Sequence, residues 1–173
     1  EVTYEEGIYV GYRYFNTFRV KPAFEFGYGL SYTSFSYSAL QLSSAAFNGK
    51  ITASITIQNT GKTAGKEVVQ LYISAPGKTM DKPALELKGF AKTRLLAPGE
   101  KQTIQFEIRA EDLASFDTQR TAWVAEPGEY QLKAGSSSLN ILHTAKFTVA
   151  KEIITEKCNK VIVPQVPINE LKN

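Results

Sequence analysis

The stretch Ile51-Thr52-Ala53-Ser54-Ile55-Thr56-Ile57-Gln58 decides the fold. Apolar and polar residues alternate through it without a break. In a pleated strand successive side chains point to opposite faces, so Ala53 and the isoleucines share one side and the hydroxyls and Gln58 the other. Such a strand has one dry face and one wet face. The alternation recurs in Val69, Leu71 and Ile73 against Val68, Gln70, Tyr72 and Ser74, and in Ile104, Phe106 and Ile108 against Thr103, Gln105, Glu107 and Arg109. It recurs again in Tyr130, Leu132 and Ala134 against Glu129, Gln131 and Lys133. Half-buried strands of this kind are those of stacked antiparallel sheets.

Weaker strands are expected over Phe35–Leu42, Leu85–Leu95 and Leu139–Val149. Turn residues separate all of these runs: Asn48-Gly49, Asn59-Thr60-Gly61, Pro76-Gly77, Pro98-Gly99, Pro127-Gly128 and Gly135-Ser136-Ser137-Ser138. About seven short strands with regular turns predict an all-β, two-sheet antiparallel sandwich of Greek-key type over residues 33–150. A helical period is absent except at Ala110–Phe116, where Glu111, Asp112 and Leu113 suit one short turn.

The chain has 173 residues, 43% hydrophobic and 21% charged, which are values of a globular domain able to bury a core. Twenty Lys and Arg against seventeen Asp and Glu leave a net charge of +3, too thin a footprint for nucleic acid or an anionic membrane. A single cysteine forms no internal disulfide, and a single histidine supplies no ordinary His/Cys metal cluster. The residues call for no cofactor. No apolar run reaches the about 18 residues of a membrane helix. The chain starts at Glu1 without Met or a basic-then-apolar leader, so it is expected to be a fragment or a processed product.

The aromatic residues are unevenly spread. Twelve of the twenty lie in the first 37 positions and eight in the remaining 136, so two kinds of polypeptide are joined. In residues 1–32, Tyr9, Tyr12, Tyr14, Phe15, Phe18, Phe24, Phe26, Tyr28 and Tyr32 fit neither period, and Gly7, Gly11, Pro22, Gly27 and Gly29 interrupt them. A solvated linker is polar, so this segment is expected to be extended and packed along a protein surface. With Arg13, these rings are candidates for inter-domain packing or sugar contact. Base stacking needs a basic groove, whereas residues 1–30 carry three basic and four acidic groups. Residues 151–173 contain Pro164 and Pro167 within the run Val161–Ile168, which argues against a helix or central strand. This tail is expected to run over a surface with Val161, Val163 and Val166 as anchors.

Catalytic chemistry finds little material. His143 shares the alternating phase of Leu139, Ile141, Ala145 and Phe147, as a packed or edge-strand imidazole does. Cys158 lies between Lys157 and Asn159, and reads as an incidental thiol. Paired carboxylates suited to glycoside hydrolysis are Glu5/Glu6, Asp81 with Glu86, Glu111/Asp112, and Asp117 with Glu126, yet all lie in turn-like contexts where acids face water or cap turns. No catalytic and no metal residue is assigned.

Two runs carry a family resemblance. They are Glu6-Gly7-Ile8-Tyr9-Val10-Gly11-Tyr12-Arg13-Tyr14-Phe15 and Pro22-Ala23-Phe24-Glu25-Phe26-Gly27-Tyr28-Gly29-Leu30-Ser31-Tyr32-Thr33-Ser34-Phe35. Later runs accompany them: Asn59-Thr60-Gly61 with Gly65, Val68-Val69-Gln70-Leu71-Tyr72, Leu87-Lys88-Gly89-Phe90, Leu96-Ala97-Pro98-Gly99-Glu100, and Pro127-Gly128-Glu129-Tyr130 with Gly135-Ser136-Ser137-Ser138. In order and spacing these resemble the C-terminal part of family 3 glycoside hydrolases, the β-glucosidase and β-xylosidase group, over residues 5 to 150. The resemblance implies a fibronectin type III-like (immunoglobulin-like) sandwich, preceded by the linker from a catalytic domain.

It also implies a parent enzyme that removes β-linked sugars from non-reducing ends with retention. The family's aspartate nucleophile and its acid/base residue, usually a glutamate, would precede Glu1, and no residue here takes either role. The expected role is a non-catalytic, stabilising accessory module in carbohydrate degradation, in the periplasm or outside the cell. Its partners are the catalytic domains of the same chain, with β-linked oligosaccharide as a low-affinity ligand. A carbohydrate-binding module using exposed Tyr and Phe, or an adhesion or protein-interaction module, are the alternatives. Where the family often carries an acid after the Gly-Tyr-Arg-Tyr-aromatic run this chain has Asn16, so a salt bridge there gives way to a neutral hydrogen bond. Six docked rings would contribute on the order of 10 kcal/mol before ordering costs. In the isolated chain the rings must be exposed, folded back, or paired with a second copy.

Overall fold

The computed structural model describes residues 3–161 and 166–173. In chain order the elements are α1 (Tyr12–Thr17), β1 (Phe35–Tyr37), β2 (Gln41–Leu42), β3 (Lys50–Asn59), β4 (Val68–Ser74), β5 (Glu86–Lys92) and β6 (Lys101–Arg109). There follow α2 (Ala110–Leu113), β7 (Ser115–Asp117), β8 (Ala122–Ala125), β9 (Gly128–Gly135), β10 (Ile141–Val149) and β11 (Ile153–Lys157).

Two four-stranded sheets form the sandwich. In the first, β3 pairs with β6 along its length, from Lys50 opposite Arg109 to Gln58 opposite Lys101, while β1 and β2 share its other edge. The second runs β10-β9-β4-β5, antiparallel throughout. Between them lies the core that the alternation foretells. Ile51, Ala53, Ile55 and Ile57 of β3 and Ile104 and Ile108 of β6 join Val69, Leu71 and Ile73 of β4 and Leu132, Ala134 and Val149 of the second sheet. Tyr130 and Phe147 are cross-strand partners whose rings stack at 5.4 Å. Each large buried side chain contributes about 1.5–3 kcal/mol. The Tyr130 hydroxyl donates to the Glu126 carbonyl oxygen, and burial pushes its pKa up to about 12.

All seven expected strand regions are strands, with Phe35–Leu42 split into β1 and β2. The expected helical turn is α2, whose Asp112 carboxylate accepts the Arg109 N–H at 2.8 Å and so caps it.

Four features depart from the sequence reading. First, β4 is dry on both faces, because Gln70 and Tyr72, read as the wet side, are buried beneath the N-terminal segment. Second, that segment holds a short helix, α1, whose six residues are too few to show a period. Third, β8 pairs with β7 and β11 in a third small sheet, so the tail begins as a strand. Fourth, Val161 and Val166 are 84% and 68% exposed and anchor nothing, while Val163 and Pro164 lie outside the described residues. The tail is held by backbone instead: the Leu171 N–H donates to Glu5 O at 2.7 Å, and the Asn173 N–H to the Asp81 carboxylate at 3.1 Å.

Candidate functional site

The N-terminal segment lies across the outer face of β4 and β5. Its centre is Tyr12, placed by α1 so that its ring stacks on Phe26 at 4.7 Å and meets the edge of Tyr72 at 6.0 Å. The Tyr12 hydroxyl accepts the Leu87 N–H at 2.8 Å, tying the ring to β5. Beside it the Gln70 amide donates to the carbonyls of Gly27 and Ser136, and its oxygen accepts the Tyr72 hydroxyl. A side chain that sequence alternation assigns to water therefore links segment, sheet and hairpin.

Further polar ties fix the register. Asn16 donates to Ser138 O at 2.8 Å, a neutral hydrogen bond as expected for this position. The Ser138 N–H donates to Phe26 O, the Ser137 hydroxyl to Glu25, and the Ala84 N–H to the Thr17 hydroxyl. Arg13 lies 3.6 Å from Glu86 at a part-exposed position, a contact of about 0–1 kcal/mol.

The candidate rings divide into two sets. Tyr9 is buried against the edge of Phe18, and Tyr14 leans on Phe18 at 5.1 Å. Burial, followed by the Asp81 carboxylate, raises the Tyr9 phenol. Tyr14 and Phe15 are half-buried, and Phe15 lines a small cleft with Tyr12, Pro22, Phe24 and Phe26. The second set faces outward: Phe24 at 72%, Phe26 at 47%, Tyr28 at 49% and Tyr32 at 100%, with Leu30 among them at 89% exposure. Phe24 and Tyr28 touch each other at 5.3 Å. A cleft of about 550 Å³ opens beside them, between Gly27–Ser31 and the sandwich residues Glu67, Gln70 and Asn140. Burial raises the Glu67 carboxyl at its floor.

Gly27 sets the closeness of this fit. Its φ is +82°, and a Cβ there would stand 2.2 Å from the Gln70 amide. Gly27→Ala is expected to cost about 1–3 kcal/mol through overpacking. It should also expose residues 1–32 to limited proteolysis while leaving the sandwich core resistant. Cleavage rates equal to wild type would contradict the role given to this contact.

The other candidates are structural. His143 sits on edge strand β10, its Nε2 3.0 Å from Tyr37 O. Cys158 is half-buried, and its N–H donates to Thr121 O. Asp117 accepts the N–H groups of Gln119 and Arg120 and pairs with the Arg120 guanidinium, while Asp112 caps α2. Glu86 faces Arg13 and Lys88. Glu126 is buried with Lys82 at 2.9 Å. Among the described residues no three His, Cys, Asp or Glu side chains gather as metal ligands, and no helix is long and apolar enough to cross a membrane. Sequence reading missed one feature: Phe116 and Trp123 are cross-strand partners with outward rings 5.5 Å apart. The available signal was Trp123 alternating out of phase with the apolar Ala122 and Val124.

Two facing antiparallel sheets on one aliphatic core define the class, a fibronectin type III-like sandwich, and residues 67–138 match the family described as "Fibronectin type III-like domain". The chain belongs with the β-glucosidases of glycoside hydrolase family 3, as the counterpart of part of their length. It is 44% identical over 146 residues to β-glucosidase BoGH3A of Bacteroides ovatus, covering 83% of this chain and 19% of that one. It is similarly 44% identical to β-glucosidase A of Butyrivibrio fibrisolvens, covering 94% and 22%. The solved structure of β-glucosidase 3B from Thermotoga neapolitana in complex with α-D-glucose superposes with a TM-score of 0.84 at 52% identity, over 90% of this chain and 21% of that one. The chain thus spans about a fifth of the length of these relatives.

Proposed function

We propose that this chain is a non-catalytic accessory module, and that its N-terminal segment clamps it to the catalytic part of a β-glucosidase-like hydrolase acting in carbohydrate degradation. The observation that carries this reading is the two-sided segment. Tyr9 and Tyr12 face inward onto their own segment and sandwich, while Phe24, Phe26, Tyr28, Leu30 and Tyr32 expose apolar side chains to solvent, Phe24 and Tyr28 in contact with each other. A patch of that kind marks an interaction site. The relatives' additional length supplies the partner. Activity at the periplasm or outside the cell belongs to the same reading and rests on the resemblance.

The carboxylates support the non-catalytic half. Asp117, Asp112 and Glu126 are all engaged with cations or backbone amides; Asp117 borders a groove with Asp81 and Glu170, but the Arg120 guanidinium and two backbone N–H groups hold it. The purified chain should not hydrolyse aryl β-glucosides or β-xylosides, whereas turnover that survives removal of contaminating enzymes would overturn the reading. In the intact parent enzyme, Leu30→Asp with Tyr32→Asp should lower thermal stability while leaving the isolated module's melting unchanged. Equal melting of both parents would refute the clamp.

A further inference from the structure

We propose that Phe116 and Trp123, with the groove beside them, form a binding site for β-linked glucan chains. The choice of ligand rests on the reading above; the site itself rests on other residues. Phe116 on β7 and Trp123 on β8 stand directly opposite each other, 40% and 41% exposed, with their rings at 61°. The opposite face of β8 carries Ala122 and Val124, which are buried, and neither ring belongs to the core cluster.

A β-linked glucose unit has all its hydroxyls equatorial. It therefore offers an apolar C–H face and a polar rim. An exposed indole takes such a face by dispersion and weak C–H···π contact, and is an amphipathic surface suited to a half-wet ligand. With rings at 61° a single sugar lies flat on only one of them, so Trp123 is the platform and Phe116 the side wall.

From Phe116 runs a groove of about 480 Å³, within the roughly 300–1,000 Å³ of small-ligand sites; Trp123 stands outside its lining, on the far side of the Phe116 ring contact. Its lining supplies the rim's partners. Thr118 and Gln119 are exposed, and among the described residues their side-chain polar atoms make no hydrogen bond, while Asp81, Asp117 and Glu170 line the same space. Charged groups are depleted from the dry centre of a protein-docking patch, whereas sugar hydroxyls pair with them readily. None of Tyr12, Phe24, Phe26 or Tyr28 lines this groove.

Trp123 is the chain's sole tryptophan, so its fluorescence reports this site alone. The 173-residue chain would be titrated with cellopentaose and laminaripentaose, with maltopentaose as the α-linked comparison. A saturable change in emission with a β-linked oligosaccharide is expected, at least tenfold weaker in affinity in Phe116→Ala. In electrophoresis through gels containing soluble β-glucan, the wild type should be retarded and Trp123→Ala should not. Circular dichroism checks the fold; should Trp123→Ala misfold, the fluorescence titration of wild type and Phe116→Ala decides. Flat titrations with unretarded migration overturn the proposal. So does an equal response to maltopentaose, or retardation that survives Phe116→Ala and is lost in Tyr12→Ala or Tyr28→Ala. Failure here leaves the clamp intact, since the clamp is read from the melting of the parent enzyme.

Discussion

Lys82→Met is expected to lower the unfolding free energy by about 3–5 kcal/mol, a large part of a single domain's stability. Lys82 and Glu126 meet at 2.9 Å with side chains 4% and 2% exposed, so neither charge has water as an alternative partner. Glu126 also accepts the Thr79 N–H at 2.8 Å and the Thr79 hydroxyl at 2.6 Å, which holds the loop 79–82 against the start of β9. Without the ammonium, the carboxylate stays buried with two neutral donors. Lys82→Met with Glu126→Leu should recover most of the loss, because the apolar pair removes both desolvation costs.

The pair also sets the acid response. Burial by itself raises the Glu126 carboxyl, but the hydrogen bonds from Thr79 and Lys82 outweigh it and hold the group below its ordinary value. A depressed folded pKa contributes stability that is present above the unfolded value of about 4.3 and is lost as pH falls through the folded value. Wild type should therefore weaken in acid. Lys82→Met, whose lone carboxylate is relieved by protonation, should show a smaller deficit at about pH 3 than at pH 7. Urea denaturation at the two pH values measures both effects, and a constant deficit would contradict this account.

Asn59→Ala is expected to cost about 3 kcal/mol, with a melting temperature lower by about 6–12 °C. Asn59 is fully buried at the end of β3 and its amide is saturated: Oδ1 accepts the Thr33 hydroxyl at 2.7 Å and the Gly61 N–H at 3.0 Å, while Nδ2 donates to Thr63 O and Leu96 O at 2.8 Å each. Truncation strands these groups away from water. Asn59→Asp should be worse, since it removes both donors and turns a buried negative charge toward two carbonyl oxygens. Thermal unfolding of the two variants tests the order, and a milder Asn59→Asp would contradict it.

The sandwich was legible because β3, β6 and β9 each keep a strict period of two, a local property of the chain. What escaped was set by distant segments. Gln70 and Tyr72 alternate as a wet face would, and only the docking of Tyr12 and Gly27 from far upstream makes that face dry. The short strands β7, β8 and β11 hold three to five residues each, too few for alternation to register, and β8 and β11 pair across 28 to 35 positions. Within the candidate site, the aromatic crowding of residues 1–32 was visible in the sequence. Its division into inward and outward rings was not, because no periodicity governs an irregular segment. Phe116 closed the run read as a helical turn and Trp123 fell in a stretch assigned to no element, and their pairing exists only through the register of β7 on β8.

The backbone tie between Leu171 and Glu5, with Asn173 beside Asp81, has a consequence for how the fold loosens. Positions 166 apart in the chain share one small unit of opening, together with the loop that carries Lys82. Opening of either segment removes the acceptor or donor of the other, so hydrogen exchange at residues 5–9 and 170–173 should rise and fall in concert. Trimming a handful of residues from the C-terminal side therefore acts on the N-terminal aromatic segment, and a truncation boundary at either end governs both.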